Sequence, residues 1–578
     1  MKPLRVMPHP SRHSKPLEVQ PTDLDVPRPS RQSDGQVART GASSSVTQSL
    51  SASRKRLTLV ATILGSSIAI LDSSVVSVAL PSIQRSLGGG LAGQQWVSNA
   101  YLLTLGSFIL LGGSLGDIFG ERRVFAIGVA GFGATSLLCA IAPTIGLLVA
   151  FRALQGLAGA LLTPSSLAVI VSTFPERERG PAIGTWTAWG TIAGALGPLV
   201  AGAILGVATW RWIFVINLPL VLGCLWLIAK AVPATAGTST GRKLDLIGAL
   251  LCVLGLGGSV FALIEQPRLG WSDPAVTGSL VGGVILFAAF LFYESRARDP
   301  MLRLDLFKRR NFAVGNVETL ALYGGLSALF FFLVLYLQQV AGYSPLQSGL
   351  ALLPESLVMF ALSSRFGALA DRFGPRLFMG GGPLIAGAGM LMLLGFGVHV
   401  DYLTEVLPGL LAFSVGLAMT VAPLTAAILA GVDQDEAGIA SAINNAVARV
   451  AGLIATVAIG AIVAAQFSAS LDHHLAGRPL TPRGRAAVAE AKQLTFGRPP
   501  VAGLPRNEAL AITVASSESS LEAFRVGIGV ASALVIIGGL IGAAGIQNPR
   551  RVVRAKECSG GQLAGAPLDA AGLHASAA

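Results

Sequence analysis

The sequence predicts an all-α polytopic membrane protein of fourteen spans, built as two six-helix bundles plus two inserted central helices. Four observations predict it. The 578-residue chain is 52% apolar, only 12% charged and has a mean hydropathy of +0.66. Its apolar residues gather in runs of about 20, the length a helix needs to cross hydrocarbon. A short charged segment also occurs twice: Gly113-Ser-Leu-Gly-Asp117-Ile-Phe-Gly120-Glu-Arg122-Arg123 and Gly367-Ala-Leu-Ala-Asp371-Arg372-Phe-Gly374-Pro-Arg376. Each copy ends one even-numbered span and precedes the next, the mark of a duplicated helical bundle whose halves rock against each other. Finally, Lys and Arg alternate from loop to loop, so one face of the protein is basic.

Apolar runs place the spans at 57–80, 95–116, 124–142, 145–172, 181–205, 212–230, 245–264, 275–293, 312–337, 347–370, 377–397, 402–430, 439–466 and 521–546. The repeated connector pairs spans one to six (57–230) with spans nine to fourteen (312–546). That leaves spans seven and eight as an inserted pair, with linkers, over 231–311. One set of loops carries Arg122, Arg123, Arg177, Arg179, Lys230, Arg242, Lys243, the basic stretch 296–310, Arg372 and Arg376; the short loops opposite carry only Arg85, Arg211 and Arg268. Both termini are therefore expected in the cytoplasm. The loop 467–520 then falls outside, with an amphipathic helix expected near 483–494. The polar, Ser- and Pro-rich stretch 1–56 is expected to be a disordered cytoplasmic tail without a cleavable signal, and 547–578 a second cytoplasmic tail.

Composition also excludes. The net charge of +12 is dispersed over short loops, which fits orientation in a bilayer and not a nucleic-acid partner. Cys139, Cys224, Cys252 and Cys558 are far apart and form no metal or redox spacing, and His473-His474 lacks companion ligands. No metal and no cofactor is expected. No G-x-x-x-x-G-K-[ST], G-x-S-x-G or H-E-x-x-H segment occurs, so neither ATP hydrolysis by a P-loop nor enzymatic hydrolysis is expected.

Ionisable groups inside spans are costly and call for a reason. Asp72 lies well within span one. It either carries a proton during transport or forms a fixed ion pair. Arg152 opens Arg152-Ala-Leu-Gln155-Gly156-Leu-Ala-Gly159 on span four, and counting from the outer ends puts it level with Asp72. It either partners that acid or snorkels outward. Span five carries small residues at Gly190, Gly194, Gly197 and Gly202 with Pro198 among them, read as a groove for a neighbouring helix or as generic packing. In the connectors, Gly113, Gly120, Gly367 and Gly374 permit tight turns. Asp117 and Asp371 suit helix N-termini. Arg122 and Arg123 are expected to meet Asp433, Asp435 and Glu436, and Arg372 and Arg376 to meet Glu176 and Glu178, as latches that close the cytoplasmic side. Glu355 in span ten lies at the depth of Asp72 and is a second candidate acid. Gln155, Gly156, Glu318, Asn445 and Arg449 are candidate cavity-lining residues. Arg365 is a further charge in span ten.

Leu71-Asp72-Ser-Ser-Val-Val-Ser-Val-Ala-Leu-Pro81 resembles the first-helix motif of fourteen-helix drug:proton antiporters, the EmrB/QacA type of the major facilitator superfamily, with Ser74 for the usual Thr and Ser77 for Asn. The 113–123 connector, Arg152-x-x-Gln155-Gly156, Gly194-x-x-Gly197-Pro198-x-x-Ala201-Gly202 and Trp210-Arg-Trp-Ile-Phe-Val-Ile-Asn217-Leu-Pro219 resemble that family's other motifs. The resemblance covers 57–546. It implies a major facilitator fold and export of amphipathic, often cationic drugs or antibiotics across the cytoplasmic membrane in exchange for protons. By the same resemblance Asp72 and Arg152 are the coupling pair and Gly197-Pro198 the antiport element; Glu355 is added from its depth. The expected partners are a small-molecule substrate, protons and the lipid bilayer, with the protein a monomer; the sequence is silent on a periplasmic adaptor. The competing readings are a dedicated exporter of a siderophore, lipid or amino acid, and a non-transporting membrane sensor.

Overall fold

A computed structural model describes residues 51–548, apart from 235–243, 299, 399, 430–431 and 433–435. The expectations for most of both tails, and for Arg242, Lys243, Asp433 and Asp435, lie outside the described residues. Among the described residues sixteen α-helices run in order: α1 (Ala52–Leu87), α2 (Gly90–Phe119), α3 (Glu121–Ile141), α4 (Ile145–Thr173), α5 (Glu176–Val207), α6 (Trp212–Val215), α7 (Asn217–Ala231), α8 (Leu246–Leu269), α9 (Pro274–Glu294), α10 (Arg310–Gln339), α11 (Pro345–Phe373), α12 (Pro375–Met392), α13 (Leu407–Leu429), α14 (Ala437–Leu475), α15 (Pro482–Leu494) and α16 (Arg506–Gly545). No strand occurs among the described residues. Among the described residues, fourteen helical segments are long and apolar enough to cross a membrane, with α6 and α7 acting as one (Trp212–Ala231) and a π-helical turn, Tyr402–Val406, extending α13.

The helices overrun the apolar runs. α1 starts at Ala52, inside the stretch expected to be tail, where Ser51 accepts the Arg54 N–H as its N-cap. The expected loop 467–520 is largely helical. Nothing breaks the helix after residue 466 until Gly477, whose φ is +74°, and α16 begins directly after Pro505. Hydropathy falls where the chain leaves lipid, but at these two ends helical hydrogen bonding runs on to the neighbourhood of a Gly or Pro. Between these ends lies α15, close to the expected 483–494.

Packing follows small residues. α2 lies on α4 where a side chain at Gly112 would strike the Ala160 carbonyl and one at Gly156 the Tyr101 carbonyl. α1 packs on α5, α7 and α4, and α3 on α4 and α7. Among the later helices, α10 packs on α14 and α16, α12 on α13 and α16, and α11 on α13. α8 and α9 form a tight pair, and α8 lies over both α2 and α14. Large apolar side chains such as Val207, Leu222, Trp226 and Val284 point outward and exposed, as they do when the surrounding solvent is lipid.

Candidate functional site

The interior of the first six spans holds a closed polar network. Asp72 sits twenty residues along α1, where its side chain is fully buried. Its Oδ2 accepts from Arg152 Nη1 at 2.5 Å, and its Oδ1 accepts from Gln155 Nε2 at 3.1 Å and Asn217 Nδ2 at 2.8 Å. Ser136 Oγ accepts a further hydrogen from each of those two amides, at 2.9 Å. Arg152 also donates to the Val97 carbonyl (3.1 Å) and to Gln155 Oε1 (2.8 Å), and its guanidinium lies 4.4 Å from the Tyr101 ring centroid. α1, α2, α3, α4 and α7 each contribute. Three donors from two helices therefore aim at the one carboxylate.

Tyr101 and Arg152 form the boundary between this network and the space beside it. One cavity of about 400 Å³ is lined by Ser74, Arg152, Pro198, Phe331, Glu355 and Arg449 among others. A second, of about 710 Å³, shares Ser73, Tyr101, Gly190 and Arg449 with it and runs to Gly113, Asp117, Glu121 and Arg303 at the basic face. The first six spans thus meet the later ones across two adjoining cavities. On the opposite face the walls close. Gln338 Nε2 donates to the Val78 carbonyl at 2.9 Å and Gln339 Nε2 to Gln84 Oε1 at 2.8 Å, tying α10 to α1. Gln95 Nε2 donates to the Thr456 carbonyl at 3.0 Å, tying α2 to α14. A side chain at Gly349 would strike the Pro198 carbonyl, and one at Gly202 would press on Leu346, so α5 and α11 touch backbone to backbone.

The two connectors share one geometry. Gly120 and Gly374 have φ of +89° and +86°, and their N–H groups return to the Gly116 and Ala370 carbonyls at 3.0 and 2.8 Å. This left-handed turn, which glycine takes without strain, joins α2 to α3 and α11 to α12. Asp117 and Gly113 line the larger cavity. Only part of the expected latches is described, since Asp433, Asp435 and the Glu176 side chain lie outside the described residues. Arg122 donates to the Ala229 carbonyl (3.2 Å) and Arg376 to the Ala543 carbonyl (2.7 Å). Glu178 pairs with Lys55, and Glu436 with Arg303 and Arg309, both at 2.9 Å. Glu178 thus pairs within the first six spans, and Glu436 pairs with Arg303 at the cavity mouth. Beside it, Arg303 hydrogen-bonds Asp305 and holds that carboxyl below the usual carboxylate value.

Not every candidate reaches the cavity. Asn445 and Arg449 line it, as do Gly194, Pro198 and Glu355. Gln155 is in the polar network, Gly156 is spent on the α2–α4 crossing, and Gly197 packs on Ser74. Glu318 is fully buried beside Gly542 of α16, away from both cavities, and neither of its oxygens has a hydrogen-bond partner among the described residues. Arg365 lies exposed on α11. Sequence reasoning gives no role to Tyr101 or Ser136 and places Asn217 only within a resemblance. The available signal is that Asn217 and Ser136 are polar residues embedded in apolar runs.

The sequence model of the Major Facilitator Superfamily matches residues 62–456. The chain is 34% identical over 439 residues to the multidrug resistance protein Stp of Mycobacterium tuberculosis (strain CDC 1551 / Oshkosh), covering 75% of this chain and 80% of that protein. It is 32% identical over 502 residues to the tetracenomycin C resistance and export protein of Streptomyces glaucescens, covering 84% and 90%. In fold it is similar to a bacterial homologue of the human lysosomal transporter Spinster, solved inward-facing and unoccupied, with a TM-score of 0.58 at 16% identity, over 86% of this chain and 100% of that one.

Proposed function

The chain belongs to the Major Facilitator Superfamily and is a multi-pass membrane transporter, and from that premise we propose that it exports amphipathic drugs or antibiotics from the cell in exchange for protons. Relatives named for multidrug resistance and for tetracenomycin C export support the cargo class. The observation that carries the coupling is the buried Asp72–Arg152 pair set one side chain away from a cavity that leads to the basic face.

In this reading the protein lies in the cytoplasmic membrane as a monomer, with the basic face and both termini in the cytoplasm, and the conformation described is inward-facing. Asp72 and Arg152 are paired here. Substrate enters from the cytoplasm and the two bundles, 57–230 and 312–546, rock about the central cavity. The left-handed Gly120 and Gly374 turns stay fixed, while Asp117, Asp371 and the connector arginines form the contacts that close the cytoplasmic side. Facing outward, Asp72 takes a proton from outside, gives up its hold on Arg152, and the freed guanidinium disturbs the substrate site as cargo leaves. The return step delivers that proton to the cytoplasm and the ion pair re-forms. One proton moving inward through 100 mV supplies about 2.3 kcal/mol, enough for roughly a 50-fold cargo gradient.

The test is efflux of a fluorescent drug from vesicles with an imposed proton gradient. Asp72→Asn is expected to abolish uphill movement while leaving exchange down a cargo gradient. Uphill efflux at the wild-type rate by this variant would rule out Asp72 as the coupling acid.

A further inference from the structure

Among the described residues, the cavity holds one guanidinium whose charge nothing else uses. Arg152 is committed to Asp72, and Arg303 at the mouth to Asp305 and Glu436. Arg449 on α14 lines both cavities, its Nε is buried without an acceptor, and no hydrogen bond or ion pair is recorded for it among the described residues. Among the described residues, none of the acids lining these cavities forms an ion pair with it. Glu121 accepts from Ser172 at 2.5 Å, and Asp245 caps α8 through the Gly248 N–H at 2.8 Å, both at the mouth. Glu355, on the α11 wall, accepts from Ser356 at 3.1 Å and forms no ion pair with Arg449.

We propose that Arg449 anchors the cargo, and that the central cavity is built for an amphipathic compound bearing one anionic group (a carboxylate, a sulfonate or an ionised phenol) on an aromatic or aliphatic body. This deepens the export reading and rests on it. A lone cation in a lining that is mostly apolar carries a desolvation cost, and a ligand anion offsets it. The polarity follows from chemistry: a carboxyl such as Glu355 can discard its charge by taking a proton, whereas a guanidinium keeps its charge throughout. The cavity's permanent unmatched charge is therefore positive. Around it, Phe330, Phe331 and Met359 offer a surface for a flat apolar body, and Ser73, Ser74 and Ser327 offer hydroxyls to its oxygens. Tyr101 lines both cavities and carries Arg152 over its ring, so an anion held at Arg449 lies one side chain from the coupling pair. This reverses the preference for cationic cargo that family resemblance implies.

The experiment is equilibrium binding to the full chain in nanodiscs, with no gradient applied. The probes are 1-anilinonaphthalene-8-sulfonate, N-phenyl-1-naphthylamine (the same skeleton without the sulfonate) and the cation ethidium. Wild type is expected to bind the sulfonate about tenfold or more tightly than the neutral amine. Arg449→Gln is expected to remove that advantage while changing neutral-probe affinity less than twofold, with Arg449→Lys between. The neutral probe reports that the variant cavity is intact. Equal loss for all probes, ethidium as the tightest ligand with no response to Arg449→Gln, or no saturable binding of any probe overturns the proposal. Asp72→Asn is expected to keep the anion preference while losing gradient-driven efflux, so failure of the export reading and failure of this one are distinguishable.

Discussion

Deleting either partner of the Asp72–Arg152 pair is expected to have unequal consequences. In Asp72→Asn the side chain keeps its shape but has one acceptor oxygen where the carboxylate has two. Gln155 and Asn217 donate to one side and Arg152 to the other, so the amide nitrogen must face a donor whichever way it turns. Arg152 is 1% exposed and cannot lose its proton, leaving an uncompensated buried charge. Such a loss costs about 3–5 kcal/mol. In Arg152→Gln the remaining acid can take a proton and donate that hydrogen itself, so the expected cost is about 1–3 kcal/mol. The double variant is expected to be more stable than the sum of the single losses by at least about 1 kcal/mol. The assay is SDS unfolding in mixed micelles read by near-ultraviolet circular dichroism. Equal single losses that simply add in the double variant would refute the reasoning, because the two groups would then not form one isolated network.

Two further outcomes are expected. Gly120→Ala and Gly374→Ala each force a side chain into a left-handed turn, at about 1–2 kcal/mol, and Gly374→Ala also drives a methyl into Asn548. Both should lower the thermal midpoint of the purified protein, Gly374→Ala more; a neutral effect at both would show that the connectors relax freely. In a cysteine-free background, Gln84→Cys with Gln339→Cys is expected to be bridged across the closed face by a short bis-methanethiosulfonate cross-linker, stopping transport until reductant is added. Unimpaired efflux by the cross-linked protein would show that this face need not open.

What the sequence determines here is whatever repeats or costs energy locally. Runs of about 20 apolar residues dictate spanning helices, since hydrocarbon offers backbone groups no other partner. Gly120 and Gly374 are marked by their place in a repeated segment, and both do adopt the turn that needs glycine. Asp72 and Arg152 stand out because each is expensive where it lies, and their common depth makes a pairing testable. The partners that complete the network are a different matter. Asn217 and Ser136 come from α7 and α3, and neither carries a charge to draw notice. Glu318 and Arg449 look alike in sequence, each a lone ionisable group in an apolar span. Only the rotation of α10 against α16, and of α14 toward α2, buries one and turns the other into the cavity. The basic-face ion pairs were likewise beyond sequence reasoning. Many charges there can pair, and which of them meet depends on how far the two bundles stand apart. Local chemistry sets the price of each residue in the membrane, whereas helix rotation and bundle separation decide which residues meet.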